Sequence, residues 1–262
     1  ERLYHPEHNH LKNQNLALKE NNLYIKVEGS KFDLYFDKGS GELVDYIYQG
    51  KDMINAGPKL SFWRAPIDND NTEVTHNYTD EWKKEGIDKL RQRLDEFKVV
   101  EAEKNHVQLK SRYTIAPAAK DLIIKAELKY KIYSDGEVEI TSNGEFADQK
   151  EHSLPRIGLE LELNHELENI SWFGRGPGES YPDSKRAAYI DLFTKKVGEL
   201  HTPYVYPQDN GNRSDTKWLE LKNRVGAGIE FYNSQEFDFT AHCYSKKDLE
   251  AAEHDCELPF RE

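Results

Sequence analysis

HVQLKSRYTI (residues 106–115) and LIIKAELKYKIY (122–133) decide how this chain folds. In both, apolar and polar residues alternate with a period of two, so one set of side chains faces a core and the other faces solvent. They read as a long pair of strands. Shorter segments of the same kind precede them, LYIKV (23–27), FDLYF (32–36) and LVDYIY (43–48), with the turn KGSGE at 38–42 between the last two. That spacing predicts consecutive antiparallel strands. Further strands are expected at 137–142, 156–163, 169–173, 216–221, 225–232 and 237–242. A dozen such segments with few helices predict an all-β fold of antiparallel sheets packed face to face.

Two stretches depart from the pattern. TDEWKKEGIDKLRQRL (79–94) offers Thr79 or Asp80 as an N-cap and Gly86 as the end of a short first helix. SKKDLEAAEH (245–254) predicts one helical turn or two. The chain shows no internal repeat, no low-complexity tract and no βαβ alternation, which excludes a TIM barrel or a Rossmann sheet.

Composition bounds the function. Aromatics are 11% of the 262 residues, a load that suits the pleated surface of a sheet. Lys and Arg number 36 against 48 Asp and Glu, a net charge of −12, which argues against nucleic-acid binding and against anchoring on an anionic membrane. No run of about 18 apolar residues is present to span a bilayer, and no lipid-facing band suggests a membrane barrel. Two cysteines, Cys243 and Cys256, make neither a disulfide framework nor a metal-ligand pattern, so a reducing cytoplasm is the expected location. The N-terminal ERLYHPEHNH is too polar for a signal peptide, and its His5, His8 and His10 fit a metal site only loosely. Residues 1–22 are expected to be a linker or the tail of a preceding domain, with the main domain over 23–262. The sole methionine is Met53, so the chain is expected to be an excised piece of a longer one.

Three stretches concentrate chemistry. SFWRAPIDND (61–70) sets Arg64, Asp68, Asn69 and Asp70 beside two aromatics. Aromatic faces stack on sugars while Arg, Asp and Asn bind hydroxyls; alternatively Arg64 pairs with Asp68 or Asp70 and the run makes Asx-turns. The latter reading is preferred, and a calcium loop is disfavoured for want of the glycine and glutamate it needs. WFGRGPGESYPDSKRAA (172–188) alternates Gly174, Gly176 and Gly178, superficially like a phosphate loop. No Lys-Ser/Thr follows, and Pro177 removes a donor. The glycines therefore serve positive φ or close backbone approach. Glu179 and Asp183 are acid/base candidates, although carboxylates four apart in a polar loop are commonly solvated charge. HTPYVYPQDNGNRSDTKW (201–218) is an aromatic-rich loop between strands, equally suited to a sugar or a protein interface. No Ser-His-Asp or Cys-His arrangement is visible.

Taken in order, FWRAPIDND, WFGRGPGESYPDSKRAA and TPYVYPQDNGNRSDTKWLEL resemble the C-terminal domain of glycoside hydrolase family 2 β-galactosidases, and the small subunit of heterodimeric β-galactosidases. The resemblance runs from about residue 23 to the end and includes EWKKEGIDKL. It implies a β-supersandwich similar to galactose mutarotase and carbohydrate-binding domains. It implies an enzyme that cleaves terminal β-galactosides such as lactose, with Mg²⁺ and Na⁺ bound in other domains and no metal or cofactor in this one. Both catalytic carboxylates would come from a barrel outside this chain, so no catalytic residue is expected within it. The chain would complete a wall of the active-site pocket and take part in oligomer contacts, with the catalytic barrel or large subunit as its partner and a galactoside as substrate.

Under the same resemblance, Trp63, Arg64, Asp68, Asn69, Arg175, Glu179, Tyr181, Asp183, Tyr204, Asn210 and Arg213 are candidates for contact with carbohydrate or a neighbouring domain. Arg175, Glu179, Tyr181 and Asp183 would hold the Gly-Pro loop or present it. Relatives carry a further Gly-Gly-Asp-Asp-Ser-Trp-like segment whose tryptophan stacks on sugar. This chain ends at CELPFRE before any such segment, so its domain is expected to be truncated. Some relatives have Asp-Arg where this chain has DSKRA, which leaves the role of Arg186 open. Two alternatives stand beside this reading. One is a free-standing carbohydrate-binding or mutarotase-like domain, in which His152 or His165 would meet Glu160 or Glu179. The other is a purely structural oligomerisation domain, which an exposed aromatic patch at TPYVYPQDNGNR would favour.

Overall fold

A computed structural model of the chain describes residues 15–72, 76–147 and 152–259. Its strands pair antiparallel throughout, in the all-β class that the alternation predicts. The chain divides into two compact units, Glu1–Phe62 with Trp82–Leu163, and Trp63–Glu81 with Asn164–Glu262.

In the first unit, β1 (Ala17–Glu20), β2 (Tyr24–Glu28), β3 (Phe32–Asp37), β4 (Leu43–Tyr48) and β5 (Lys51–Asp52) form a sheet in sequential order. The strand β6 (Ile54–Ser61) lies after them. Beyond the helix α1 (Tyr78–Glu85) come β7 (Arg91–Ala102), β8 (His106–Ala116), β9 (Ile124–Tyr133) and β10 (Val138–Phe146), in the order β10-β9-β8-β7. The strand β11 (Gly158–Leu163) returns to pair with β6. The alternation places Val27, Leu34 and Phe36 from one large sheet and Leu109, Leu128, Tyr130 and Ile132 from the other wholly out of water. Phe36 meets Tyr130 edge-on, with ring centroids 5.1 Å apart, and lies 6.2 Å from Phe97. Each such side chain contributes about 1.5–3 kcal/mol by burial.

The β3–β4 turn locks those two sheets together. Gly41 adopts φ 69°, and its carbonyl accepts hydrogen bonds from Ser111 (2.6 Å) and Tyr113 (2.9 Å) on β8. A Cβ at Gly41 would stand 2.7 Å from Leu94 Cδ1, so neither its conformation nor its surroundings admit a side chain.

In the second unit, β12 (Asn169–Gly176), β13 (Tyr189–Lys196), β14 (Arg213–Lys222) and β15 (Gly228–Phe239) form a sheet in the order β13-β12-β14-β15. Ile170, Trp172, Leu219 and Leu221 supply its buried face. The helix α2 (Lys246–Ala251) follows, with a capping box: Asp248 N–H donates to Ser245 Oγ at 3.2 Å and Ser245 N–H to the Asp248 carboxylate at 2.8 Å.

Several elements differ from expectation. The short helix expected within 79–94 starts at Tyr78, so Thr79 and Asp80 lie inside its first turn and not at an N-cap. It ends at Glu85 as Gly86 predicts, since Gly86 turns to φ 83° with Pro117 packed where its side chain would be. From Arg91 onward the charged residues alternate along β7, whose register is fixed by β8. The strands β6 and β13 were not anticipated: β6 is interrupted by Gly57 and Pro58, and β13 leaves Tyr189, Ile190 and Leu192 exposed, so neither shows clean alternation. The separate strands expected at 225–232 and 237–242 are one strand, β15, with register shifts against β14. Residues 17–20 of the stretch read as linker or tail form β1, in register with β2. The histidines at 5, 8 and 10 lie outside the described residues. No helix among the described residues is long and apolar enough to cross a membrane.

The solvent face of β8 and β9 is an ion-pair lattice. Glu127 contacts Lys110, Arg112 and Lys129, and these, Lys110 foremost, lower its carboxyl from about 4.5 to about 2. A depressed carboxylate stabilises the fold above its unfolded pKa and loses that contribution as pH falls towards 2. Glu127→Gln should therefore lower the urea midpoint at neutral pH, with the deficit from wild type shrinking steadily between pH 4.5 and 2.

Candidate functional site

All three chemistry-bearing stretches supply residues to the second unit. Four residues of the first stretch decide its role. Trp63 is buried at 7% exposure and donates its indole N–H to Glu250 on α2 at 3.0 Å, so its ring offers no open platform. Arg64 grips the buried Asp70 with two hydrogen bonds, at 2.6 and 3.1 Å, and Asp70 also accepts the Ile67 N–H at 2.9 Å. This forked pair shapes the turn. Asp68 and Asn69 at its crest are exposed, and Asp68 N–H donates to the Gln208 side chain at 3.1 Å.

The second stretch runs along β12 and turns back through a loop to β13. Its glycines answer to close approach, since neither Gly174 nor Gly176 has positive φ. A Cβ at Gly174 would lie 2.8 Å from the Thr216 Cα on β14, and one at Gly176 would meet the Phe193 ring at 2.8 Å. Gly178 has open space around it. Arg175 latches the loop: Nε donates to Asp215 at 2.5 Å, and Nη1 donates to the carbonyls of Lys185 and Ala188 at 3.0 Å each. Lys185 shares Asp215, and the two cations, Lys185 first, hold that carboxyl below its usual range. Asp215 itself sits at φ 53° where β14 shifts register, so the bulge aims its carboxylate at the latch. Tyr181 N–H donates to Ser184 Oγ at 3.0 Å, while Asp183 and Arg186 are exposed.

Glu179 joins the second stretch to the third. One carboxylate oxygen accepts the Tyr204 hydroxyl, and the other accepts the Gly211 N–H at 2.9 Å. Gly211 has φ 78°, with Leu200 O only 3.0 Å from where a Cβ would be. From Pro207 to Ser214 every residue is buried, although most are polar. Asn210 accepts the Thr202 N–H at 2.9 Å and donates to Gln208 O at 2.9 Å, and its own carbonyl lies 2.7 Å from His242 Nε2. Asn212 donates to Ser180 O at 2.7 Å, and Ser180 Oγ accepts the Ser214 N–H at 3.0 Å.

Arg213 is 2% exposed. It lies over the Trp172 ring at 5.6 Å and donates to the carbonyls of Gly211 (2.7 Å), Asn212 (3.4 Å) and Pro177 (3.4 Å). Among the described residues its Nε has no hydrogen-bond partner. Burial pulls the guanidinium pKa down, and the charge of Glu179 pushes it back.

Thus the structure brings Glu179, Tyr204, Asn210 and Arg213 into one network, together with the backbone of Asp68. Arg64 and Arg175 hold separate latches. The site reading passed over Asp215, although two cations in the second stretch called for a counter-charge, and it passed over Ser180, Gln208, Asn212, Ser214 and His242, whose roles depend on contacts distant in sequence. Of the pairs considered for epimerase chemistry, His152 sits 3.2 Å from Glu85, His165 is exposed, and Glu179 is engaged as above. Among the described residues no three His, Cys, Asp or Glu side chains gather so as to hold a metal ion.

A family model described as β-galactosidase small chain matches residues 28–262. The chain is similar to the β-galactosidase of Priestia megaterium, 29% identical over 255 residues that cover 93% of this chain and 23% of that protein. It is 31% identical to the β-galactosidase of Vibrio cholerae, over 89% of this chain and 22% of the relative. With that of Lactobacillus delbrueckii subsp. bulgaricus it shares 32%, over 92% of this chain and 23% of the relative. The chain thus spans less than a quarter of the length of these curated relatives.

Two measurements check the geometry. Gly174→Ala should cost about 1–3 kcal/mol in urea unfolding, because β14 backbone occupies the space, whereas Gly178→Ala should stay within about 0.5 kcal/mol. Glu179, by hydrogen bond and charge, with burial and Asp68 adding, raises the Tyr204 hydroxyl from 10 to about 12. A raised phenol stabilises the fold below its unfolded pKa and loses that contribution as pH climbs towards 12. Titration of ring-labelled tyrosines by NMR should show, beside the late resonances of Tyr46, Tyr113 and Tyr130, a further late resonance that Tyr204→Phe removes and Glu179→Gln moves back towards 10.

Proposed function

We propose, from the premise that this chain belongs to the β-galactosidase small-chain family, that it is the non-catalytic portion of a family 2 glycoside hydrolase. The whole enzyme would cleave terminal β-galactosides such as lactose, and this portion would complete a wall of its pocket and contribute to oligomer contacts. The observation that carries the reading is the commitment of the motif carboxylates to structure. Asp70 serves Arg64, Asp215 serves Arg175 and Lys185, and Glu179 serves Tyr204 and Gly211. A retaining glycosidase needs two carboxyl groups about 5–5.5 Å apart, one free to attack and one free to pass a proton. Carboxylates already occupied as latches are poorly suited to both tasks, so catalysis is assigned to the rest of the enzyme.

We assign Mg²⁺ and Na⁺ to the rest of the enzyme as well. A reducing, cytoplasmic location completes the proposal. It is supported by Cys243 and Cys256, neither of which forms a disulfide. Hydrolysis of a chromogenic β-galactoside tests the reading. The chain alone should show no turnover, and mixing it with the separately produced remainder of the enzyme should restore activity. Turnover by the chain alone would overturn the assignment.

A further inference from the structure

Between Thr202 and Pro207 the third stretch rises out of the protein as a short tip. Val205 is 84% exposed, Tyr206 55% and Tyr204 37%. Exposed apolar side chains are ordinary when they stand singly, but three in succession on an ordered loop are not. Both ends of this tip are fastened. On one side Thr202 N–H donates to the buried Asn210, and Tyr204 N–H donates to Thr202 O at 2.8 Å. On the other, Pro207 enters the buried run and Gly211 is held by Glu179. The Tyr204 hydroxyl is bound to the same carboxylate. The conformational entropy of presenting the tip has therefore been spent in folding, as it is at preorganised binding surfaces.

We infer that the Tyr204–Val205–Tyr206 tip is the anchor by which this chain docks on the remainder of the β-galactosidase, entering an apolar pocket rimmed by basic groups. The inference rests on the functional reading above and names its contact. Three observations choose this occupant. First, the most exposed member is Val205, an aliphatic side chain that can neither bind a hydroxyl nor stack as an aromatic does, so a sugar leaves the crest of the tip unused. Second, the flank is acidic. Asp68 is exposed beside the half-exposed Glu179, both close enough for their charges to act on the Tyr204 hydroxyl, and the whole chain carries −12. A second copy meeting this patch through a two-fold axis would bring like charges together, since such a contact uses the same patch on both sides. Third, the curated relatives are more than four times as long as the portion they share with this chain, so a larger partner within the same enzyme is the occupant this reading supplies.

The test uses the chain and the separately produced remainder, with affinity measured by calorimetry. Tyr206→Ala should weaken association about tenfold or more and Val205→Asp about thirtyfold or more, with Tyr206→Phe close to wild type. Because these side chains are exposed, far-UV circular dichroism and the urea midpoint should not change. Raising salt should weaken wild-type association, and salt independence would overturn the basic rim. If both disruptive variants bind like wild type, the docking inference falls and the functional reading stands. If the wild-type chain fails to associate with the remainder at all, the functional reading itself falls. If Val205→Asp instead abolishes self-association of the chain, or binding of methyl β-galactoside, while sparing the remainder, the occupant was misassigned and the inference is overturned.

Discussion

The burial of a polar loop governs the second unit. Pro207–Ser214 lie away from solvent outside regular strand for most of their length, so their amides and carbonyls must find partners within the protein. Those partners come from elsewhere in sequence: Glu179 for the Gly211 N–H, Ser180 for Asn212 and Ser214, His242 for the Asn210 carbonyl. Gln208 repays the arrangement by receiving the Asp68 N–H. The three stretches are thus mutually dependent, since loss of any one leaves buried polar groups of another unmatched, at about 1–3 kcal/mol each.

Arg213 sits at the middle of that dependence. A buried cation without a contacting carboxylate is costly, and here the cost is offset by three carbonyl oxygens, an indole face and the nearby charge of Glu179. The same Glu179 that steadies Arg213 also ties down Tyr204. Its carboxylate is a structural joint with two loads, the Tyr204 hydroxyl and the Gly211 N–H.

How much of this was legible follows the range of the forces involved. Alternation at 106–115 and 122–133 is a local consequence of one face being wet and one dry, so β8 and β9 were readable with nearly correct ends. Local signals also located α2 through Ser245 and Asp248, and ended α1 at Gly86. By contrast β13, with Ile190 and Leu192 exposed, gives no alternation to read; only its pairing with β12 makes it a strand. For the glycines, sequence left two explanations, positive φ or close approach. The distance from Gly174 to the Thr216 backbone decides between them, and it is a contact between residues forty-two positions apart. Arg64 with Asp70 was foreseeable because the partners are six apart, whereas Arg175 with Asp215 was not.

What the latches leave over is as informative as what they hold. Once Asp70, Glu179 and Asp215 are engaged, the groups of the three stretches still facing solvent include Asp68, Asn69, Asp183, Ser184, Arg186 and the Tyr204–Val205–Tyr206 tip. Asp68 and Asn69 stand on a turn whose foundation is the Arg64–Asp70 fork and whose backbone is tied to Gln208, so they are presented with little freedom to move. The tip is fixed from the opposite side through Asn210 and Gly211. Ordering beneath exposed groups has its entropy cost met in folding, which lowers the cost of any later association by those groups. A catalytic centre would need its carboxylates released from such duties; a fitted contact surface needs them kept there. The distribution of ion pairs and hydrogen bonds in the second unit supports the proposed contact surface on that ground.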